Sequence, residues 1–147
     1  MTPYETFHGI LVNLFHDILS VEEKAIITGE FKDITTNDMH IIEAIGIAKA
    51  KSMSAVAKAM DVTVGTLTIA INNLVKKGYV SRNRSEKDRR VVLISLTEKG
   101  RRAYEHHAKF HDEMIKALLK GLSEDETEVL VRSLTNLKDF FESYRKP

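Results

Sequence analysis

Apolar residues recur at helical spacing near both ends of the chain, at steps of three and four residues that place them on one face of a helix. The first stripe comprises Phe7, Leu11, Leu14 and Ile18, widened by Phe15 and Leu19. The last comprises Leu130, Leu134, Leu137, Phe141 and Tyr144. These stripes predict a helix over residues 3–28 and another that ends near residue 145.

Capping residues delimit three shorter helices in the middle of the chain. Thr35, with Asp38 three residues later, is typical of a capping box, and it opens a helix over residues 37–45. Ser52 is a candidate N-cap for a second helix that reaches residue 60.

A tight turn at residues 61–62 separates that helix from the next, which Thr63 caps and which ends at Gly78. We expect its inner face to carry Val64, Leu67, Ile71, Leu74 and Val75. We expect its outer face to carry Gly65, Thr66, Thr68, Ile69, Asn72, Asn73 and Lys76.

Two strands follow, over residues 79–84 and 91–96, and the short polar segment between them makes a hairpin. Thr97 then caps a long helix that reaches residue 120, and Ser123 with Glu126 caps the last helix. The whole pattern predicts one chain, residues 1–147, that is mainly α with a small β-hairpin wing. Its six helices include a winged helix-turn-helix over residues 35–96.

The charge distribution supports a DNA-binding face, although the net charge is only +1. Residues 76–102 hold ten basic and three acidic residues, which gives a net charge of +7. The other residues of the chain include twelve basic and eighteen acidic ones, which gives a net charge of −6. A basic block in an otherwise acidic protein is typical of a surface that faces phosphates. The alternative for such a block is a solvated surface.

Polar side chains on the outer face of the helix over 63–78 can bind base edges in the major groove, and arginines at a hairpin tip can enter the minor groove. Asp88 would pair with an arginine and fix its direction. The candidate DNA-binding residues are Thr63, Gly65, Thr66, Thr68, Asn72, Asn73, Lys76, Arg82, Arg84, Lys87, Asp88, Arg89 and Arg90.

Residues 54–101 resemble the MarR family of bacterial transcription regulators. The Asp-x-Arg pattern of the family's wing falls on Asp88 and Arg90, and its LTEKGR segment on residues 96–101. Asp61 departs from the family, which often has glycine there. The resemblance implies a homodimer on palindromic double-stranded DNA, joined by helices over residues 3–28 and 97–145. Packing of these helices within one chain is the alternative.

Five stretches are similar to a narrower group, the FabT repressors of fatty-acid synthesis. They are FKDIT (31–35), MHIIEAIG (39–46), TVGTLT (63–68), NNLVKKGYV (72–80) and RSEKDRRVV (84–92). The similarity implies control of fatty-acid-synthesis genes, with long-chain acyl-acyl carrier protein as corepressor. Candidate residues lining an acyl pocket are Leu11, Leu14, Phe15, Met39, Ile42 and Met114, and the alternative for each is a place in the core.

Six histidines raise a second hypothesis, a zinc-responsive repressor. His107 and His111 lie one helical turn apart, on a stripe expected to face inward with Tyr104, Met114 and Leu118, and this spacing suits two imidazoles on one metal. His40 would be a third ligand, with Glu22 or Glu23 a fourth. A hydrogen-bonded polar cluster is the alternative, and we expect no metal or other cofactor.

Composition excludes several other classes. The chain has no cysteine, so disulfides, thiolate zinc sites and thiol redox sensing are excluded. We see no secretory signal and no apolar run of the roughly 18 residues that span a bilayer, so we expect a cytoplasmic protein with no membrane partner. The chain lacks the Gly-x-Ser-x-Gly, phosphate-loop and His-Glu-x-x-His motifs, so we expect no enzyme. A pure protein-interaction module is the remaining alternative, and such a module would show no salt-dependent affinity for DNA.

Overall fold

The computed structural model describes residues 1–26 and 28–145, which form two compact units divided after Phe110. The helices are α1 (Pro3–Ile26), α2 (Thr36–Ile45), α3 (Met53–Met60), α4 (Val64–Lys76), α5 (Glu98–Leu119) and α6 (Glu124–Arg145). The strands are β1 (Lys51–Ser52), β2 (Val80–Arg84) and β3 (Val92–Leu96). The six helices and the hairpin of the sequence analysis are confirmed.

The ends of two helices differ from the prediction. Helix α1 ends at Ile26 rather than at Thr28, whose backbone is extended and precedes a short 3-10 helix over Gly29–Phe31. Residue 27 lies outside the described residues. Helix α4 ends at Lys76, because Gly78 adopts a φ of +87°, which turns the chain into β2 instead of extending the helix.

The predicted caps form. Thr35 accepts a hydrogen bond from the Asp38 backbone N–H and the Asp38 carboxylate accepts one from that of Thr35, completing the capping box. Ser52 caps α3 by accepting a hydrogen bond from the Ala55 backbone N–H, and Ser123 with Glu126 forms a capping box at α6. Asp61 takes the left-handed conformation between α3 and α4, with a φ of +56°.

The sheet has a third strand that the sequence analysis missed. Its order is β1-β3-β2, and β3 pairs antiparallel with both neighbours. Strand β1 has only two residues, Lys51 opposite Ile94 and Ser52 opposite Leu93, so it shows no alternation of polar and apolar positions. It holds the start of α3 against the wing.

The hydrophobic core of the first unit lies between α2, α3, α4 and the sheet. Its buried members are Phe31, Ile34, Met39, Ile41, Ile42, Ile45, Val56, Ala57, Leu67, Ile71, Leu74, Tyr79, Val80, Ile94 and Ala103. Leu67, Ile71 and Leu74 of α4 are fully buried as predicted and Val75 is half-buried, whereas Val64 is 44% exposed. The expectation that Val64 is buried is wrong, because Val64 is the first residue of α4 and lies next to the turn rather than over the core.

The second unit contains the end of α5 and all of α6, and none of the residues described in α6 is buried. In the stripe that we expected to face inward, His107 is buried, but Met114 is 37% exposed and Leu118 is 53% exposed. Helical periodicity identifies an apolar face and does not indicate whether the chain covers that face itself.

In the described part of the chain, no single helix is long and apolar enough to cross a membrane. Helices α3 and α4 meet that criterion only as a pair, across a bend of 106°.

Candidate nucleic-acid interface

Helix α4 is fixed to the first unit by its buried face and by its N-terminal cap. The Thr63 hydroxyl oxygen accepts a hydrogen bond from the Thr66 backbone N–H at 3.1 Å, which satisfies one N–H that a helix start leaves unpaired. With Leu67, Ile71 and Leu74 anchored in the core, the opposite face of α4 is held in one orientation.

The predicted outward residues of α4 lie on that opposite face. Gly65, Thr66, Ile69, Asn73 and Lys76 are exposed, and Ile69 is 68% exposed. Thr68 and Asn72 are half-buried, because both lie on the side of α4 that faces the wing. The Thr68 hydroxyl donates to the Val64 carbonyl at 2.8 Å. The structure thus gathers these side chains on one surface, and their contact with bases stays a prediction.

The wing is a hairpin whose loop is held by its own hydrogen bonds. Strands β2 and β3 pair from Val80 opposite Leu96 to Arg84 opposite Val92. Beyond them, the Ser85 backbone N–H donates to the Val91 carbonyl at 2.8 Å, and the Arg84 guanidinium donates to the Arg89 carbonyl at 2.8 Å. Arg84 therefore supports the loop that carries the remaining wing cations, in addition to any contact with DNA.

Asp88 holds the guanidinium of Arg90, as the sequence analysis expected. Arg90 Nε donates to Asp88 Oδ1 and Arg90 Nη2 to Asp88 Oδ2, each at 3.0 Å. The Arg90 side chain is 91% exposed, and its hydrogen bonds lower the pKa of the Asp88 carboxyl. An exposed arginine normally samples many rotamers, so this two-point contact limits its direction at the wing tip.

A groove of about 390 Å³ lies between the starts of α3 and α4 and the wing. Its lining is Ser52, Met53, Ser54, Val64, Thr68, Arg82, Arg90, Val91 and Val92. Two arginines and three hydroxyl side chains line it, and none of these nine residues is acidic. Such a lining suits a phosphodiester backbone. Ser52 and Ser54 were not among the candidate DNA-binding residues, because their proximity to the wing depends on β1.

Arg82 connects the wing to α4. Its guanidinium donates from Nη1 to the amide oxygen of Asn72, ten residues earlier in the chain. Both residues were candidates for separate DNA contacts, and the structure joins them. Nothing in the spacing of these residues indicated the contact, which requires the hairpin to fold back on α4.

The base of the wing is held by a buried tyrosine that the sequence analysis did not single out. The Tyr79 hydroxyl donates to Asp33 Oδ1 at 2.6 Å, and Lys99 Nζ lies 4.5 Å from the ring centre. Burial of Tyr79 raises the pKa of its hydroxyl, and the hydrogen bond from Tyr79 lowers the pKa of the Asp33 carboxyl. This network ties the segment before α2 to the start of β2 and to α5.

The candidate acyl-pocket residues fall into different environments. Met39 and Ile42 are buried in the core of the first unit, whereas Leu11, Leu14 and Phe15 of α1 are 37%, 44% and 51% exposed. Met114 of the second unit is 37% exposed. For Met39 and Ile42 the alternative, core packing, accounts for their position. The three residues of α1 do not belong to that core.

Part of the candidate zinc set converges in the first unit. Glu22 Oε1 lies 3.4 Å from His40 Nε2 and 3.2 Å from His107 Nε2, and Glu22 and His107 are both buried. Glu43 Oε2 lies 3.5 Å from His107 Nε2. Glu23 is exposed. These contacts tie the end of α1 to α2 and α5, so the cluster has a structural role without any bound metal.

Comparison with known proteins agrees with this geometry. The family described as transcriptional regulator SarA/Rot matches residues 25–107. The structure of Streptococcus pneumoniae FabT in complex with DNA has 42% sequence identity and a TM-score of 0.85, and the match covers 96% of this chain and 99% of that one.

Among curated proteins, the Bacillus subtilis regulators YdgJ and YetL are 26% and 31% identical over 72% and 58% of this chain. The matches span 65% and 52% of their lengths, so this chain covers less than two thirds of either protein. These matches are regulators and not enzymes, as the sequence analysis expected. The chain belongs to the SarA/Rot family of transcriptional regulators and is a MarR-type winged helix-turn-helix protein similar to FabT.

Proposed function

We propose that this chain is a repressor of fatty-acid-synthesis genes that binds palindromic double-stranded DNA as a homodimer, with long-chain acyl-acyl carrier protein as corepressor. The observation that carries the proposal is the 42% identity to FabT, a protein solved in complex with DNA, over nearly the full length of both chains. The five FabT-like stretches include the cap and start of α4 and the whole wing loop.

The DNA-binding part of the proposal rests on the surface formed by α4 and the wing. It combines exposed polar side chains of α4 with arginines at the hairpin tip, and these arginines belong to the segment of residues 76–102, whose net charge is +7. We expect the affinity for a duplex to fall steeply as salt rises, because each neutralised phosphate releases a counterion.

Two variants test this surface. Arg90→Ala should weaken binding to all duplexes, because it removes a wing cation without touching the core. Asn72→Ala should change the preference at one or two base pairs, by about 1–3 kcal/mol where a base contact is lost. If both variants keep the affinity and preference of the wild type, the interface lies elsewhere on the chain.

The homodimer is supported by the apolar surface that α1 and α6 expose. In α1 the large apolar residues at least 37% exposed are Tyr4, Phe7, Ile10, Leu11, Val12, Leu14, Phe15, Leu19 and Val21. In α6 they include Val129, Val131, Leu134, Phe140 and Tyr144. On each helix, exposed apolar surface of this extent is unfavourable in water, so pairing across a two-fold axis would stabilise it. Such a dimer would present two α4 helices to successive major grooves, about 34 Å apart.

The experiment for the corepressor is an affinity titration. A fatty-acid-synthesis promoter fragment is titrated with the protein in chelator, with and without long-chain acyl-acyl carrier protein, and the unacylated carrier protein is the control. Tighter binding with the acylated form alone supports the lipid-responsive repressor. No change with either form contradicts the corepressor and leaves DNA binding intact.

The zinc alternative is tested in the same assay. Zinc replaces chelator, and His107→Ala is compared with the wild type. A change in affinity that zinc causes and His107→Ala abolishes would favour a metal-responsive repressor. A response to the acyl ligand that persists in His107→Ala would favour the structural role of the Glu22, His40 and His107 cluster.

A further inference from the structure

We propose that Arg82 is a positioning residue that fixes the side-chain amide of Asn72, so that α4 presents an N–H donor and not a carbonyl acceptor to the major groove. The inference rests on the proposed DNA binding and adds which groups on a base edge this position of the helix would bind. It follows from the hydrogen bond between the two side chains and from the strand register of the wing.

The strand register directs Arg82 toward α4. Arg82 pairs with Ile94 of β3, and residues directly opposite one another in antiparallel strands point to the same side of the sheet. Ile94 is fully buried in the core that it shares with Leu67, Ile71 and Leu74 of α4, so the Arg82 side chain leaves the sheet on the side of the core. Its guanidinium then reaches Asn72 at the margin between helix and wing.

The chemistry of the pair sets the orientation of the amide. A guanidinium carries only donors, so the Asn72 atom that faces Arg82 must be the acceptor Oδ1. The amide Nδ2 then points away from the wing, and its two N–H groups are the part of Asn72 that a base can meet. The side chain of Asn72 is half-buried, which restricts its rotation further.

This orientation decides which base edges fit. A free asparagine reads adenine by accepting from N6 and donating to N7 at the same time. Arg82 takes one Oδ1 lone pair and holds Oδ1 toward the wing, so the N–H groups of Asn72 are directed to the DNA and their partners are acceptors such as guanine O6 and N7 or thymine O4. We therefore expect a guanine or thymine acceptor, and no two-point contact with adenine, at the base pair that Asn72 meets.

Arg82 keeps further N–H groups for the DNA backbone. It lines the groove between α3, α4 and the wing, together with Thr68 and Arg90. A phosphate in that groove would hold the guanidinium from the other side, so backbone binding and base reading at Asn72 would be coupled. If Arg82 and Asn72 contacted the DNA independently, the two kinds of binding would not be coupled.

The test starts from a duplex that the wild-type protein selects from a randomised library, and from a panel in which each base pair of that duplex is replaced. Affinities are measured across the panel for Asn72→Ala, Arg82→Met, the double variant and Arg89→Met. Arg89→Met is the matched control, because it also removes one exposed wing arginine. Thermal unfolding checks that each variant is folded.

We expect Arg82→Met and Asn72→Ala each to reduce the discrimination between bases at the same base pair by about fivefold or more. The double variant should reduce that discrimination no further than either single variant does. Arg89→Met should lower affinity evenly across the panel. Asn72→Asp keeps the contact with Arg82 but offers only acceptors, so it should shift the preference at that base pair toward cytosine or adenine, whose exocyclic amines donate.

An even loss for Arg82→Met across the panel, with a shallower salt dependence and full additivity with Asn72→Ala, would overturn the inference and leave Arg82 as a phosphate contact. Failure of the wild-type protein to select any duplex would count instead against the proposed function. The two failures are therefore distinguishable.

Discussion

Gly100, in the first turn of α5, lies against the backbone carbonyl of Tyr79 at the start of the wing. A β-carbon at residue 100 would overlap the Tyr79 carbonyl oxygen and lie 3.2 Å from the β-carbon of Leu96. The same carbonyl accepts a hydrogen bond from the Thr97 backbone N–H at 3.0 Å. The wing and α5 therefore meet through backbone atoms, which leaves no room for a side chain at residue 100.

This contact predicts that Gly100→Ala destabilises the protein. Alanine is the better helix former by about 1 kcal/mol, but backbone atoms cannot move aside as a flexible side chain can, so we expect a net loss of about 2 kcal/mol or more in the free energy of unfolding. The control is Gly9→Ala in α1, where nothing lies within 4 Å of the added β-carbon. Denaturant unfolding of both variants measures the effect, and equal stabilities would contradict the close contact.

Tyr79→Phe should lower stability in a way that depends on pH. The hydrogen bond from Tyr79 lowers the pKa of Asp33 in the folded protein, so the ionised carboxylate contributes stability above its unfolded pKa near 4. That contribution is lost as the pH falls through the folded pKa. We expect the variant to be less stable by about 1 kcal/mol at pH 7, since Asp33 is half exposed, and the difference to shrink below about pH 4.

The matched control for Tyr79→Phe is Tyr104→Phe, a half-buried tyrosine of α5 packed against the same core. Its loss of one hydroxyl should leave the pH dependence of unfolding unchanged. If urea unfolding at several pH values gives parallel curves for the wild type and Tyr79→Phe, the bond to Asp33 does not contribute to stability.

The turn between α3 and α4 offers a paired prediction. Asp61 has a φ of +56°, a conformation that glycine adopts freely and that a β-branched residue resists. Asp61→Gly should stabilise the protein slightly or leave it unchanged, and Asp61→Val should destabilise it by about 1 kcal/mol or more. Melting temperatures of the two variants measure the difference. A valine variant as stable as the glycine variant would show that the turn relaxes to another conformation.

Local signals in the sequence predicted the six helices and the hairpin of this fold. The capping box of Thr35 with Asp38, the cap at Thr63 and the left-handed turn at Asp61 each depend on residues within a few positions of one another. The stripe of Leu67, Ile71 and Leu74 likewise gave the buried face of α4.

Contacts between distant residues could not be predicted in the same way. Strand β1 forms because β3 offers it an edge, and Asn72 meets Arg82 because the hairpin folds back on α4. Glu22 meets His107 only when α1 and α5 pack together. Periodicity also could not say that Met114 and Leu118 are exposed in the single chain, because an apolar stripe looks the same whether its own chain or another covers it.

Asp88→Ala distinguishes the orientation of Arg90 from simple charge. Asp88 is an anion within the predicted DNA-binding surface, so electrostatics alone predicts that its removal raises affinity for a duplex. Because its carboxylate holds Arg90 through two hydrogen bonds, we expect the opposite result, a loss of affinity.

Glu86→Ala is the control for this test, since Glu86 is an exposed acid of the same loop, two residues away. Its removal should raise affinity, as charge alone requires. Dissociation constants for both variants at several salt concentrations distinguish the two effects. A change in affinity caused by charge alone becomes smaller as salt rises, whereas a loss of affinity caused by an unfixed Arg90 side chain persists. Tighter binding by both variants would mean that Asp88 only repels the DNA and that Arg90 needs no support from it.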